Sequence, residues 1–311
     1  MMQSCDDVIN PSAPFEPRMV VYCVLNSASD TQFVRIYTTY NPTDYNPALN
    51  PEEQVVSDAT VSITDGSKNY TFAYRAIPRP DSSRYKNSIG VYFSYPFRPQ
   101  ASKNYTLIVT TPTLGQATAQ TSIPGRGFIA TSSIFELEHP VTANPVTVRF
   151  SLHDQAKAYL VRFYVVYTTE NPGDGGREHY YEVPLIDKIL DYNLETHFRL
   201  YPSVITVPAS VQAAKSVVKS IDFAYPAYNE AIYQIVHYNF NVRFKRAVFY
   251  LIQFNEPWYK HYASGNLFQD RLGVRLDPPD YSNIQGGVGL FGGFHVDSTV
   301  VPLPEYIRPY R

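Results

Sequence analysis

The chain has 311 residues, 44% of them apolar and 17% charged, with a formal net charge of −2 at pH 7. That length exceeds a typical single sandwich and suits two domains with cores of their own. The near-neutral charge gathers no phosphates, which argues against nucleic acid as a partner, and no apolar run is long enough to cross a bilayer as a helix. With 27 Tyr, 18 Phe and 25 Pro, the composition is that of strands with proline-marked edges and turns. The expected class is all-β: two β-sandwich domains, the first immunoglobulin-like, with one or two short helices in the second.

Residues 1–17 read as a lipoprotein-like N-terminus and polar tether. Met2-Gln3-Ser4 before Cys5 resembles the end of a bacterial lipobox, in which the cysteine becomes the acylated N-terminus. The apolar core of the signal peptide would then lie upstream of Met1; the alternative is an exposed thiol without consequence. The second cysteine, Cys23, sits in the apolar run Val20 to Leu25 and reads as a small core hydrophobe.

From 18 to 125 short strands recur at regular spacing. Phe33, Arg35 and Tyr37 alternate with Val34, Ile36 and Thr38, and an Asn- and Pro-rich loop follows from 41 to 51. Val61 and Ile63 lead into Asp65-Gly66, a strong hairpin signal, with Tyr70, Phe72 and Tyr74 as the return strand. Tyr105, Leu107 and Val109, then Ala117 to Thr121, complete about seven strands. The cluster Pro124-Gly125-Arg126-Gly127 marks the boundary.

The second domain, 126–311, opens with Ile134 to Pro140 and a strand carrying Val146, Val148 and Phe150. Tyr159 to Tyr167 is apolar on both faces, which places it centrally in a sheet, and it turns at 171–176 into Tyr180-Tyr181-Glu182-Val183. Residues 210 to 221 fit a helix or a short amphipathic strand equally. Alternation from Ile232 through Val236, Phe240 and Phe244 predicts one long strand with a core face and a wet face. Another strand, 246–254, precedes Asn255-Glu256-Pro257, a helix start with Asn as cap and Pro in the first turn. The short helix should carry Trp258 and Tyr262 on one face, with Trp258 as a core anchor, and end near Ser264-Gly265.

Near the C-terminus five of the chain's 15 glycines fall within 286–293. No Lys-Ser or Lys-Thr pair follows, so a phosphate cradle is disfavoured against a kinked or bulged strand packing Val288, Leu290 and Phe291 inward. Strand, aromatic helix, spacer and then Ser282-Asn283-Ile284-Gln285-Gly286-Gly287-Val288-Gly289-Leu290-Phe291-Gly292 resembles the C-terminal signature of the domain-of-unknown-function 4249 family. These are surface lipoproteins of Bacteroidota. Asp58 to Gly66, Tyr105 to Val109 and Ala117 to Pro124 are similar to that family as well, whereas Tyr22-Cys23 departs from the small polar pair expected there. Asn283, Gly286, Gly287, Gly289, Phe291 and Gly292 are the structural signature. The resemblance implies an envelope lipoprotein, often encoded beside a TonB-dependent outer-membrane receptor, with no catalytic residues to carry over.

The residues themselves offer little chemistry. Seven histidines are scattered without His-Glu-x-x-His or Cys-x-x-Cys spacing, so neither a metal site nor a cofactor is expected. Glu136 and Glu138 share a strand face and could serve as acid and base in glycoside hydrolysis; solvated carboxylates are the plainer reading. Most tyrosines alternate with apolar residues and pack. Tyr40, Tyr45, Tyr225 and Tyr228 stand in loop-like contexts and are candidates for contacting a glycan or peptide ligand. The expectation is a non-enzymatic, lipid-anchored binding or accessory protein of the outer membrane, on the cell surface rather than the periplasmic face, working with a TonB-dependent transporter. The alternative is a glycan- or peptide-active hydrolase whose site assembles only in three dimensions.

Overall fold

A computed structural model of the chain describes residues 15–41, 50–83, 85–130, 145–191, 196–207, 218–266 and 281–303. The first seven strands are β1 (Met19–Asn26), β2 (Gln32–Thr38), β3 (Thr60–Thr64), β4 (Asn69–Ile77), β5 (Ile89–Ser94), β6 (Asn104–Thr111) and β7 (Gly115–Ser122). Side chains on a strand alternate between faces. Val34 and Ile36, Val61 and Ile63, Leu107 and Val109, and Ala117 and Ala119 therefore meet Val21 and Leu25 in one core. Cys23 lies among them as a buried free thiol, its pKa pushed up by burial. The Asp65-Gly66 hairpin forms as its sequence predicts: the Asp65 carboxylate accepts from the N–H groups of Ser67 (3.0 Å) and Lys68 (2.8 Å). β4 changes layers along its length, Asn69–Phe72 pairing with β3 and Ala73–Ile77 with β5. This folds the sheet into a sandwich along that seam.

The second half contains β8 (Phe128–Ile129), β9 (Val146–Ser151), β10 (Ala158–Thr168), β11 (His179–Glu182), β12 (Ile186–Asp191), β13 (Thr196–Leu200), β14 (Ile205–Thr206) and β15 (Val218–Phe223). Next come helix α1 (Tyr225–Tyr238), β16 (Arg243–Phe254), helix α2 (Glu256–Asn266) and β17 (Val288–Pro302). β10 does sit centrally, between β11 and β16. Its Val161, Phe163 and Val165 pack with Phe249 and Leu251 against β9, Phe223 and α1. Phe163 stacks on Phe249 at 4.3 Å between centroids. The segment 210–221 is described only from Val218, where β15 pairs antiparallel with β9.

The long strand expected over 232–244 is corrected: residues 225–238 are α1, and the strand begins at Arg243. The alternating set, read alone, has period two. The residues that are actually buried, Ala227, Tyr228, Ala231, Ile232 and Ile235, step by one and three, which is one stripe of a helix. Pro226 in the first turn fits a helix start. At the other end the Asn239 side chain donates to the Ile235 carbonyl at 2.7 Å, satisfying one of the orphan acceptors of the last turn.

β17 holds the two halves together. Its first residues pair in parallel with β1, from Val20 opposite Val288 to Asn26 opposite Phe294. From Phe294 onward it pairs antiparallel with β16. One sheet thus runs β11-β10-β16-β17-β1-β2-β5-β4-β3-β6-β7. Phe291 is fully buried in the first core together with Ile284, a burial worth about 1.5–3 kcal/mol for the phenyl group. The glycine-rich stretch assigned by sequence to 126–311 therefore builds the core of 18–125 as well. It is the kinked strand expected, with Leu290 and Phe291 buried and Val288 half-buried. Gly289 has φ +124°, and a β-carbon there would strike the Val21 carbonyl oxygen of β1.

Candidate functional site

Of the described sequence-predicted tyrosines, Tyr225 and Tyr228 are neighbours in the second half and Tyr40 lies in the first. Tyr228 is 2% exposed in the second core, stacked on Phe163. Its hydroxyl finds no partner among the described residues, and burial raises its pKa. Tyr225 is half-buried beside it, 6.3 Å between centroids. Tyr40 follows β2 in the first sandwich, half-exposed. Tyr45, Cys5, Glu136 and Glu138 lie outside the described residues. Trp258 anchors α2 as expected, stacked between Phe254 (3.9 Å) and Tyr262 (5.1 Å).

The signature residues act through backbone geometry. Asn283 aligns its amide with the backbone of Phe291, donating to its carbonyl (2.8 Å) and accepting from its N–H (2.9 Å), as a neighbouring strand would. Gln285 exchanges both backbone hydrogen bonds with Thr118 of β7, 2.9 and 2.8 Å. Gly286 lies so close to Gln116 of β7, and Gly292 to Trp258, that neither has room for a side chain without displacement. The Gln285 and Gly286 contacts join β7 to the segment leading into β17 and close the second seam of the first sandwich, while Gly292 lets α2 sit against β17.

A cleft of about 740 Å³ opens where the two halves meet. Its floor is the outer face of β6 and β7: Asn104 pairs with Ser122 across the strands and Thr106 with Gln120. One wall is the turn holding Asp154, Gln155 and Lys157; the other is the start of α2 at Glu256 and Pro257. Two buried side-chain amides fix these walls. Gln253, fully buried, accepts from the His153 N–H (2.7 Å) and donates to Gly125 O (3.2 Å) and Asp297 Oδ2 (2.9 Å). It thereby ties the turn to the linker between the halves. Asn255, 1% exposed, donates to Thr121 Oγ1 and Ser122 O, both at 2.7 Å. Its oxygen accepts from Trp258 N–H, the helix cap expected from sequence, and from Gly293 N–H, each at 3.2 Å.

The cleft's carboxylates have cationic or titratable neighbours. Glu256 contacts Lys260 at 2.8 Å, and that hydrogen bond lowers the Glu256 pKa and raises that of Lys260. Asp154 lies 2.9 Å from His153 Nδ1. A carboxylate held ionised accepts hydrogen bonds and is a poor proton donor. Sequence alone missed this site, because Asn104, Thr106, Gln120 and Ser122 are simply the polar alternates of two amphipathic strands. Nothing local marks them until the 153–157 turn and α2 stand over them. Among the described residues no group of His, Cys, Asp and Glu is placed to hold a metal ion.

The family model for a domain of unknown function, DUF4249, matches residues 6–299. A search of curated proteins returns no match.

Proposed function

The chain belongs to the DUF4249 family, and from that premise we propose that it is a non-catalytic binding component of the bacterial outer membrane. In this reading Cys5 carries the lipid, the folded body stands at the cell surface, and the ligand is held for a TonB-dependent transporter. The observation that supports it best is the cleft. It spans a joint made rigid by a continuous sheet, so it is formed before any ligand arrives. It offers hydrogen-bonding amides and hydroxyls, with the Glu256 carboxylate held ionised by Lys260. The lipobox-like Ser4-Cys5 and the partner implied by the family resemblance supply the membrane and the transporter.

Expression of the chain with its natural upstream sequence tests the reading. Radiolabelled fatty acid should be incorporated by the parent and not by Cys5→Ala, and affinity purification from outer membranes should recover a transporter. A soluble, unlabelled protein with no outer-membrane partner overturns it. Glycan or peptide turnover abolished by Glu136→Gln would establish the hydrolase instead.

A further inference from the structure

We propose that the cleft between the two halves recognises a short neutral oligosaccharide; this rests on the binding reading above and names its ligand. The side chains of Asn104, Thr106, Gln120, Ser122 and Gln155 line the cleft and have no hydrogen-bond partner among the described residues. Carboxamides and hydroxyls each donate and accept, the dual character that sugar hydroxyls require, and Asn104 and Gln120, diagonal to each other across β6 and β7, can reach separate hydroxyls of one sugar.

The same lining argues against the other ligand classes. Of the apolar side chains lining the cleft, Tyr105 is buried in the first core and Pro257 stands at the wall, so an apolar molecule finds little side-chain surface to bury against. Among the described residues Lys157 is the one cation in the lining, beside Asp154 and Glu256, so phosphorylated, sulfated or uronic ligands meet no cluster of positive charge there. A peptide binding as an added strand needs an open sheet edge. The edge of β7 bordering the cleft is already engaged: Gln285 pairs with Thr118, Asn283 reaches Gln120 O (3.4 Å) and Asn255 reaches Ser122 O. The volume of about 740 Å³ lies within the range of roughly 300–1,000 Å³ usual for small-molecule sites.

The chain's one tryptophan, Trp258, follows Pro257 of the cleft wall and gives a built-in reporter. Full-length protein titrated with a panel of short neutral, anionic and amino-sugar oligosaccharides and with mixed-sequence peptides should bind only neutral members, read by Trp258 fluorescence and in parallel by calorimetry. The double variant Asn104→Ala/Gln120→Ala should weaken that binding at least about tenfold, as expected for losing two unshared hydrogen-bonding amides. Ser122→Tyr, which fills the floor, should abolish it. Gln116→Ala, on the same face of β7 outside the cleft, should leave it unchanged.

Binding equal in the double variant and the parent, or no neutral oligosaccharide bound by either method, overturns the proposal. Tighter binding of a peptide or an anionic ligand, sensitive to Ser122→Tyr, overturns the ligand class. Those results concern the soluble protein's cleft, whereas lipidation and transporter recovery test the envelope reading; each can fail without the other.

Discussion

In the first half of the molecule, two sheet layers face each other across a core of aliphatic side chains and a ring cluster around Phe97, and both of their seams are closed. One is closed by β4, which belongs to both layers, and the other by the distant segment 283–293, whose Asn283 side chain pairs with Phe291 while Gln285 pairs with Thr118 of β7. In the second half a twisted sheet is covered on one face by α1 and by the small β15-β9-β8 sheet, with aromatic stacking in between. The closing seam of the first arrangement depends on a few directional hydrogen bonds, from the Asn283 side chain and the Gln285 backbone; the second depends on area. A packed aromatic layer tolerates small changes with graded loss, whereas a hydrogen-bonded seam fails when one donor or acceptor goes unmatched.

The sharpest way to break the comparison is at Gly289. Its φ of +124° and its contact with the β1 backbone leave no room for a methyl group. Gly289→Ala should cost more than about 4 kcal/mol. Because β17 serves both halves, chemical denaturation should show both losing stability together; loss confined to the second half would refute the shared role of the strand. Asn255→Ala comes next. It leaves Gly293 N–H, Trp258 N–H and Ser122 O unmatched in a buried setting, and a loss of about 3–5 kcal/mol in urea unfolding is expected.

A smaller effect lies at the β3–β4 hairpin. Hydrogen bonds from the Lys68 N–H first, then from Ser67, hold the Asp65 carboxyl well below the usual carboxylate range. Its folded pKa is therefore depressed. It contributes stability in full above its unfolded value of about 3.9 and loses that contribution as the pH falls from there toward the folded value. Asp65→Asn should make melting temperature less dependent on pH over that acid range; an unchanged slope would contradict the assignment. The smallest change is in the second half. Removing the unpartnered hydroxyl with Tyr228→Phe should leave stability within about 0.5 kcal/mol of the parent or raise it slightly, so a clear loss would reveal a bonding network in a core described here as governed by area.

Local patterns in the sequence specify the strands of the first half well. Tyr70, Phe72 and Tyr74 return from Asp65-Gly66 as alternation demands, and Asn255 caps α2 as its chemistry demands, because both signals act over a few residues. The region 225–238 shows where such reading stops: Ile232, Val236 and Tyr238 satisfy period two, while Ala227 and Ala231, small residues with little strand preference, are buried on the helix, Ala231 in the same core as Phe163. The closure by 283–293 was legible as a run of glycines but not as a partner for β1 and β7. The glycines state that backbones approach; they do not name which ones. The cleft was not legible at all, since its floor and walls come from residues about 30 to 150 apart in the chain and carry ordinary surface chemistry.

The strand that finishes the first sandwich is translated after every other described strand. Domains on a ribosome ordinarily mature in the order they emerge, yet here the amino-terminal module must wait, its seam open and the outer edge of β1 bare, until the carboxyl-terminal signature arrives. Any transcript cut short before residue 283 yields two incomplete modules rather than one sound and one missing. The topology thereby couples completion of the amino-terminal module to synthesis through β17.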